Sequence, residues 1–269
     1  MTATRRDWNT RIGTELEGVT LLDLDQAGID ELKELVAERG VLFFRDQDMT
    51  LADQVELGRR LGELHVHPAA KAPDGFPEVL LVHTDAESTY TAGNGWHTDV
   101  SCDARPPALS MLRIEQIPPA GGDTVWASMY EAYDALSAPM QAFLSTLTAV
   151  HTGDKAYRGR YGYTGDREFP VSEHPVIRTH PVTGRKGLYV NMGFTSHIKG
   201  LKQRESRALL DMLYEHVANG VNFQVRFRWE PNSVAIWDNR CVQHHASWDY
   251  FPETRHGYRV TTRGEVPFQ

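Results

Sequence analysis

Residues 28–39 place Ile29, Leu32, Leu35 and Val36 at intervals of three and four and stop at Gly40, the spacing of an amphipathic helix closed by a glycine. The next segment, Val41 to Phe44, is a continuous apolar run ending in Arg45 and Asp46, the pattern of a short buried strand. Thr50 stands where it can cap a second helix from Leu51 to Leu61, with Leu57 and Leu61 on one face; Glu56 comes too late for a capping box. Pro118 to Asp123 is a turn signal between two apolar stretches, Ala108 to Ile114 and Thr124 to Ala127, and predicts a hairpin-like connection. Helical periodicity returns over residues 128–147 and 204–218, as expected of helices that cover a sheet. The carboxy-terminal third holds short runs, Phe223 to Trp229, Ser233 to Trp237 and Gly257 to Thr262, bounded by Pro, Asn and Gly. Strands at such spacing suggest a jelly-roll or barrel-like sheet.

The pattern shows no internal repeat and no linker, so a single domain over residues 1–269 is expected. No stretch approaches the ~20 apolar residues of a membrane helix, and Arg5, Arg6 and Arg11 have no apolar run behind them, so the protein is expected to stay in the cytosol. Cys102 and Cys241 are the only cysteines, which suits a reducing compartment better than a disulfide framework, and neither needs a function. A formal net charge of -8 argues against nucleic acid and anionic membranes as partners. Any anion that binds must be met by a few local arginines.

The chemistry concentrates first in Asn94-Gly95-Trp96-His97-Thr98-Asp99-Val100. On a strand, residues i and i+2 share a face, so His97 and Asp99 can converge on one ion while Thr98 points away. A His-X-Asp pair alone is weak, because a surface histidine beside an aspartate is the commoner outcome. A third ligand is available in the run Trp237 to Ala246, which contains His244 and His245. Two histidines and one carboxylate leave open positions on an ion, the arrangement of iron(II) oxygenases. Successive strand residues face opposite sides, so only one of His244 and His245 can ligate, and the patterning does not choose. Arg255 and Arg259 fall on one face of a strand, roughly 13 Å apart at the base if extended. They could serve two separate anions, although any single arginine is more often a solvated surface charge.

These residues, with Val41-Leu42-Phe43-Phe44-Arg45, Gly121-Gly122-Asp123-Thr124, His180-Pro181-Val182-Thr183-Gly184, Ile236-Trp237-Asp238-Asn239-Arg240 leading to Gln243-His244, and Gly264-Glu265-Val266-Pro267, occur in order along nearly the whole chain. The sequence resembles the taurine dioxygenase and 2,4-dichlorophenoxyacetate dioxygenase (TauD/TfdA) family of iron(II)- and 2-oxoglutarate-dependent dioxygenases. The resemblance implies a mixed α/β fold with a double-stranded β-helix (jelly-roll) core and covering helices. It implies Fe(II) held by His97, Asp99 and His244, with His245 a pocket or neighbouring residue. It also implies that Thr124 and Arg255 bind the distal carboxylate of 2-oxoglutarate, a role that suits a guanidinium and an extra donor.

Arg259 matches the residue that grips the acidic head of the primary substrate, and His67 a histidine at the same head group. Asn94 lies one residue out of register with a family asparagine, and Phe194 matches a pocket aromatic. The chain departs from the taurine enzymes at Ala70 and Gly153, where they carry aromatic rings. Lost rings should widen the pocket, which favours a longer alkylsulfonate, a sulfate ester or an aryloxyalkanoate over taurine. The reaction implied is hydroxylation of a C–H bond of a small organic anion with O2, giving succinate and CO2 as co-products, in a dimer or tetramer. Asp99 argues against a halogenase, which leaves its carboxylate position empty. A zinc hydrolase using the same triad would leave Thr124, Arg255 and Arg259 without a role, and the intact triad counts against a non-catalytic jelly-roll binding protein. Trp96 and Trp237 are expected to pack the sheet, and His83, His174 and His216 to be surface or hydrogen-bonded core groups.

Overall fold

A computed structural model describes residues 3–70, 72–158 and 166–269. In chain order they form β1 (Thr4–Asp7), β2 (Thr14–Glu17), α1 (Gln26–Arg39), β3 (Val41–Phe44), α2 (Leu51–Leu61), β4 (Val79–Thr84) and β5 (Pro107–Gln116). Next come β6 (Thr124–Ser128), α3 (Met129–Asp134), α4 (Ala138–Leu144), β7 (Thr148–Thr152), α5 (Gly153–Tyr157), β8 (Val171–Pro175), β9 (Ile177–Thr179), β10 (Lys186–Leu188) and β11 (Thr195–Ile198). The chain closes with α6 (Gln203–Ala218), β12 (Gln224–Phe227), β13 (Val234–Asp238), β14 (Val242–Ala246) and β15 (Arg255–Arg263).

A seven-stranded sheet in the order β1-β2-β3-β13-β5-β15-β4 faces a three-stranded sheet β12-β6-β14. Alternation along each strand builds two cores from one sheet. Val41, Phe43, Leu112, Ala235 and Trp237 point inward to Trp126, Val225, Phe227 and Val242 of the smaller sheet. Their alternates Leu42, Phe44, Met111, Val234 and Ile236 point outward and are covered by Ile29, Leu32 and Val36 of α1 and Val55, Leu57 and Leu61 of α2. The smaller sheet is backed in turn by α6 through Leu210, Leu213 and Val217. This is the jelly-roll core with covering helices that the resemblance implied.

Three local expectations need correction. Helix α2 does carry a capping box: Thr50 Oγ1 accepts from Asp53 N and Asp53 accepts from Thr50 N, so the acid at the third helical position is Asp53. Residues 128–147 form two short helices rather than one. Pro139, in the first turn of α4, has no N–H and would clash with a preceding helical turn, so α3 ends before it. Pro118 to Asp123 does not close a hairpin. Both edges of β5 are taken by β13 and β15, so the chain crosses to the other sheet, where β6 pairs with β12 and β14.

Candidate active site

Between the sheets lies a cavity of about 270 Å³, and His67, Asn94, His97, Asp99, Thr124, Phe194, His244, Arg255 and Arg259 all line it. The fold brings together every site residue expected from the sequence.

His244 comes from β14, where it is buried while His245 on the opposite face is half-buried against Trp96. Strand alternation thus turns His244, and not His245, into the cavity. His97 is not on a regular strand, as the i, i+2 argument assumed. A single bridge, His97 N to His244 O at 3.1 Å and His244 N to His97 O at 2.9 Å, sets the two imidazoles side by side with centroids 4.1 Å apart. The chain then turns: Thr98 Oγ1 donates to Val242 O, and Val100 adopts φ 44°, a conformation that costs a β-branched residue about 1–3 kcal/mol. The turn delivers Asp99 Oδ1 to 3.8 Å from His97 Nε2 and 3.9 Å from His244 Nε2.

One ligand atom from each of these residues lies within 4.8 Å of the others. His97 Nδ1 donates to Gly95 O at 2.8 Å, which places its proton there and leaves Nε2 as a lone pair facing Asp99. His244 is oriented by packing against Trp237 and Trp126, and its Nδ1 has no partner among the described residues. Burial, partly opposed by Asp99, lowers the pKa of both histidines, so both are neutral donors. Burial tends to raise Asp99, but the Arg259 charge and the Ser110 hydroxyl hydrogen bond lower it and hold the carboxylate ionised. Two neutral imidazoles and one carboxylate fit iron(II) with open positions.

Arg255 and Thr124 face each other across the sheets. Arg255 is buried; its Nε donates to Gly122 O at 3.1 Å and its Nη2 to Thr124 Oγ1 at 3.3 Å, and no carboxylate among the described residues lies within salt-bridge distance. Burial lowers its pKa from the usual arginine value. Thr124 Oγ1 also accepts from Trp229 Nε1 at 3.0 Å, so both its lone pairs are used and its own proton remains to be donated. Gly122, at φ 73°, allows the loop to approach: a Cβ there would meet Arg255 Cδ at 3.3 Å.

Arg259 donates Nη1 to Asp99 Oδ1 at 2.6 Å, while its buried Nε has no partner among the described residues. His67 Nδ1 accepts from Ala69 N and Ala70 N at 3.1 and 2.9 Å, so the ring proton sits on Nε2. Burial, then the Arg259 charge, pushes its pKa down to about 3.

Several lining residues went unrecognised in the sequence. Trp96 and Trp237 line the cavity as well as packing, and Tyr90, Lys155, Tyr157 and Met192 join them. The space beside Gly153 is filled: a Cβ there would lie 3.0 Å from Tyr157 and Phe169, so one of the two missing rings leaves no opening. The His180-Pro181-Val182-Thr183-Gly184 and Trp237-Asp238-Asn239-Arg240 blocks meet each other: His180 Nε2 donates to Asp238 at 3.0 Å, and Arg240 grips the same carboxylate from Nε and Nη2. This buried network fixes the turn that leads β13 into β14.

The family described as "Taurine catabolism dioxygenase TauD, TfdA family" matches residues 4–261. A Saccharomyces cerevisiae protein named alpha-ketoglutarate-dependent sulfonate dioxygenase is 41% identical over 96% of this chain, which spans about two thirds (66%) of that relative. A Pseudomonas putida protein named alpha-ketoglutarate-dependent sulfate ester dioxygenase is 38% identical, covering 96% of this chain and 88% of its own length. The crystal structure of a taurine dioxygenase from Burkholderia xenovorans superposes with a TM-score of 0.86 at 38% identity, over 99% of this chain and 93% of that one.

Proposed function

We propose, from the premise that the chain belongs to the taurine catabolism dioxygenase TauD, TfdA family, that its cavity hydroxylates a sulfonate or sulfate ester carrying an apolar tail. The protein is an iron(II)- and 2-oxoglutarate-dependent dioxygenase acting on a small organic anion, with O2 as the oxidant. Residues 1–269 would act as one domain, and the buried, unpaired thiols of Cys102 and Cys241 support a cytosolic setting. Assembly into a dimer or tetramer rests on the resemblance and is read by light scattering.

In this reading His97, Asp99 and His244 hold the iron. When bound, the iron supplies O2 activation coupled to decarboxylation of 2-oxoglutarate to succinate and CO2. Arg255 and Thr124 take the distal carboxylate of 2-oxoglutarate, and Arg259 with His67 takes the anionic head of the substrate. Asn94 and Phe194 complete the substrate wall, and Leu80, Val82, Tyr157 and Met192 give the cavity an apolar side that suits a tail.

The observation that carries the reading is Arg255: a buried guanidinium in the cavity with no carboxylate among the described residues, beside a hydroxyl with a proton to give. A buried charge without a counterion is costly, and a bound dicarboxylate would compensate it. Arg259 is joined to Asp99, whereas Arg255 is held by Gly122 O and Thr124 Oγ1, and these different partners support two separate anion sites.

The test is an anaerobic titration with iron(II) and 2-oxoglutarate that follows the visible charge-transfer band of the chelate, with substrate binding measured separately. Arg255→Ala should weaken 2-oxoglutarate by on the order of 100-fold, the loss of a charge-assisted pair, and spare the substrate. Arg259→Ala should do the reverse. Equal losses of both ligands in each variant would refute the division of the anion sites.

A further inference from the structure

Ser110 is a hydroxyl in the middle of an apolar strand. It lies on β5 between Trp237 of β13 and Thr261 of β15, fully buried beside Leu109, Met111 and Leu112. Its Oγ donates to Asp99 Oδ2 at 2.8 Å and accepts from Asn239 Nδ2 at 2.8 Å. Asn239, 1% exposed, uses its Oδ1 to accept from Trp237 Nε1 at 3.0 Å and from Asp99 N at 3.3 Å.

The direction of this chain is forced. An indole N–H can only donate, so the amide oxygen of Asn239 must face Trp237, and its NH2 must face Ser110. With one lone pair of Ser110 engaged in that way, its proton goes to Asp99. Asp99 Oδ2 is therefore occupied, and its backbone N–H is held by the same asparagine. Oδ1, which also accepts from Arg259 Nη1 at 2.6 Å, is the oxygen that turns toward His97 and His244.

We propose that Ser110 and Asn239 are positioning residues that hold Asp99 as a one-oxygen metal ligand and thereby set the affinity of the metal centre. A carboxylate free to rotate, or to present both oxygens, would take a position that a co-substrate needs. The hydrogen bond that Ser110 donates to Oδ2 prevents that. The proposal rests on reading Asp99 as a ligand, and it gives Asn239, in the block Trp237-Asp238-Asn239-Arg240, a task that the other residues of the site do not cover.

The experiment is a titration of the full-length chain with Mn(II), without 2-oxoglutarate, reading free Mn(II) by electron paramagnetic resonance. Ser110→Ala should raise the Mn(II) dissociation constant by about 10- to 100-fold, as removal of an outer partner of a ligand does. Asn239→Ala should weaken Mn(II) as well. The double variant should lose less than the product of the separate losses, because both act through one hydrogen-bonded chain. Melting of the metal-free variants shows that each is folded, and Asn239→Ala carries the test alone if Ser110→Ala does not fold. Dissociation constants within twofold of the parent, or losses that multiply, would overturn the proposal. Asp99→Ala separates the two failures: if it binds Mn(II) like the parent, the ligand reading fails. If it abolishes binding while Ser110→Ala leaves it intact, only the positioning role fails.

Discussion

Tyr157 shows how a side chain several positions from a recognised one can decide what the cavity accepts. Its ring packs edge-on to His67 at 5.4 Å and to Phe194 at 5.7 Å, and it lines the cavity beside Ala156. Gly153 and Tyr157 are four residues apart on α5, so they share a helical face, and the ring leans over the glycine. The family aromatic missing at Gly153 is thus replaced from the next turn. If the substrate tail runs along this wall, Tyr157→Ala should shift preference toward longer alkyl sulfates, with the kcat/KM ratio of long to short rising on the order of tenfold. Succinate release across a chain-length series reads this directly, and an unchanged length profile would place the tail elsewhere. His67 keeps a neutral ring at ordinary pH because burial pushes its pKa down to about 3, so of the two proposed head-group residues Arg259 carries the positive charge.

At the scale of elements, α2 stabilises the sheet without entering the site. Val55, Leu57 and Leu61 pack on the outer face, and the Thr50–Asp53 capping box closes the first turn. Thr50→Ala should cost about 1 kcal/mol in urea unfolding and leave oxygenase turnover unchanged. A loss of turnover in the folded variant would tie α2 to the cavity. This helix and its neighbours were legible in the sequence because periodicity is local: Ile29 to Val36 and Val41 to Phe44 declare a helix and a strand on their own. The pairings were not legible. That β6 leaves β5 for another sheet depends on both β5 edges being filled by strands from the carboxy-terminal third, which no local pattern reports. The triad was readable as residue types, yet the His97 to Asp99 segment is one bridge and a turn, set by contacts with His244 and Asn239 more than 100 residues away. Ser110, set between Leu109 and Met111 in the stretch Ala108 to Ile114, was a visible signal, since a polar group inside a buried strand needs a partner.

For the molecule as a whole, a pair of buried neutral histidines makes stability depend on pH. His151 of β7 and His174 of β8 are buried with ring centroids 5.1 Å apart. Asn191 Nδ2 donates to Ser101 Oγ, which donates to His151 Nδ1, and His174 Nε2 donates to the Ser101 and Asp103 carbonyls; the two rings thus anchor the segment that follows Asp99. Burial is the main cause that pushes His151 down to about 3 and His174 down to about 4. An unfolded histidine titrates near 6.5. Below that pH the unfolded chain takes up protons that the folded chain refuses, so the stabilisation is complete above about pH 6.5 and is lost as pH falls toward the folded values. Each such histidine contributes a slope of up to about 1.4 kcal/mol per pH unit. Urea unfolding of the metal-free protein should show stability falling from pH 6.5 to 5, a window above the range where Asp99 and Asp238, both held low, take protons. His151→Gln, which lowers stability at neutral pH, should flatten that slope by about one proton's worth. An equally steep slope in the variant would mean that His151 is protonated in the folded protein within this window, and that the cluster is not the neutral core described.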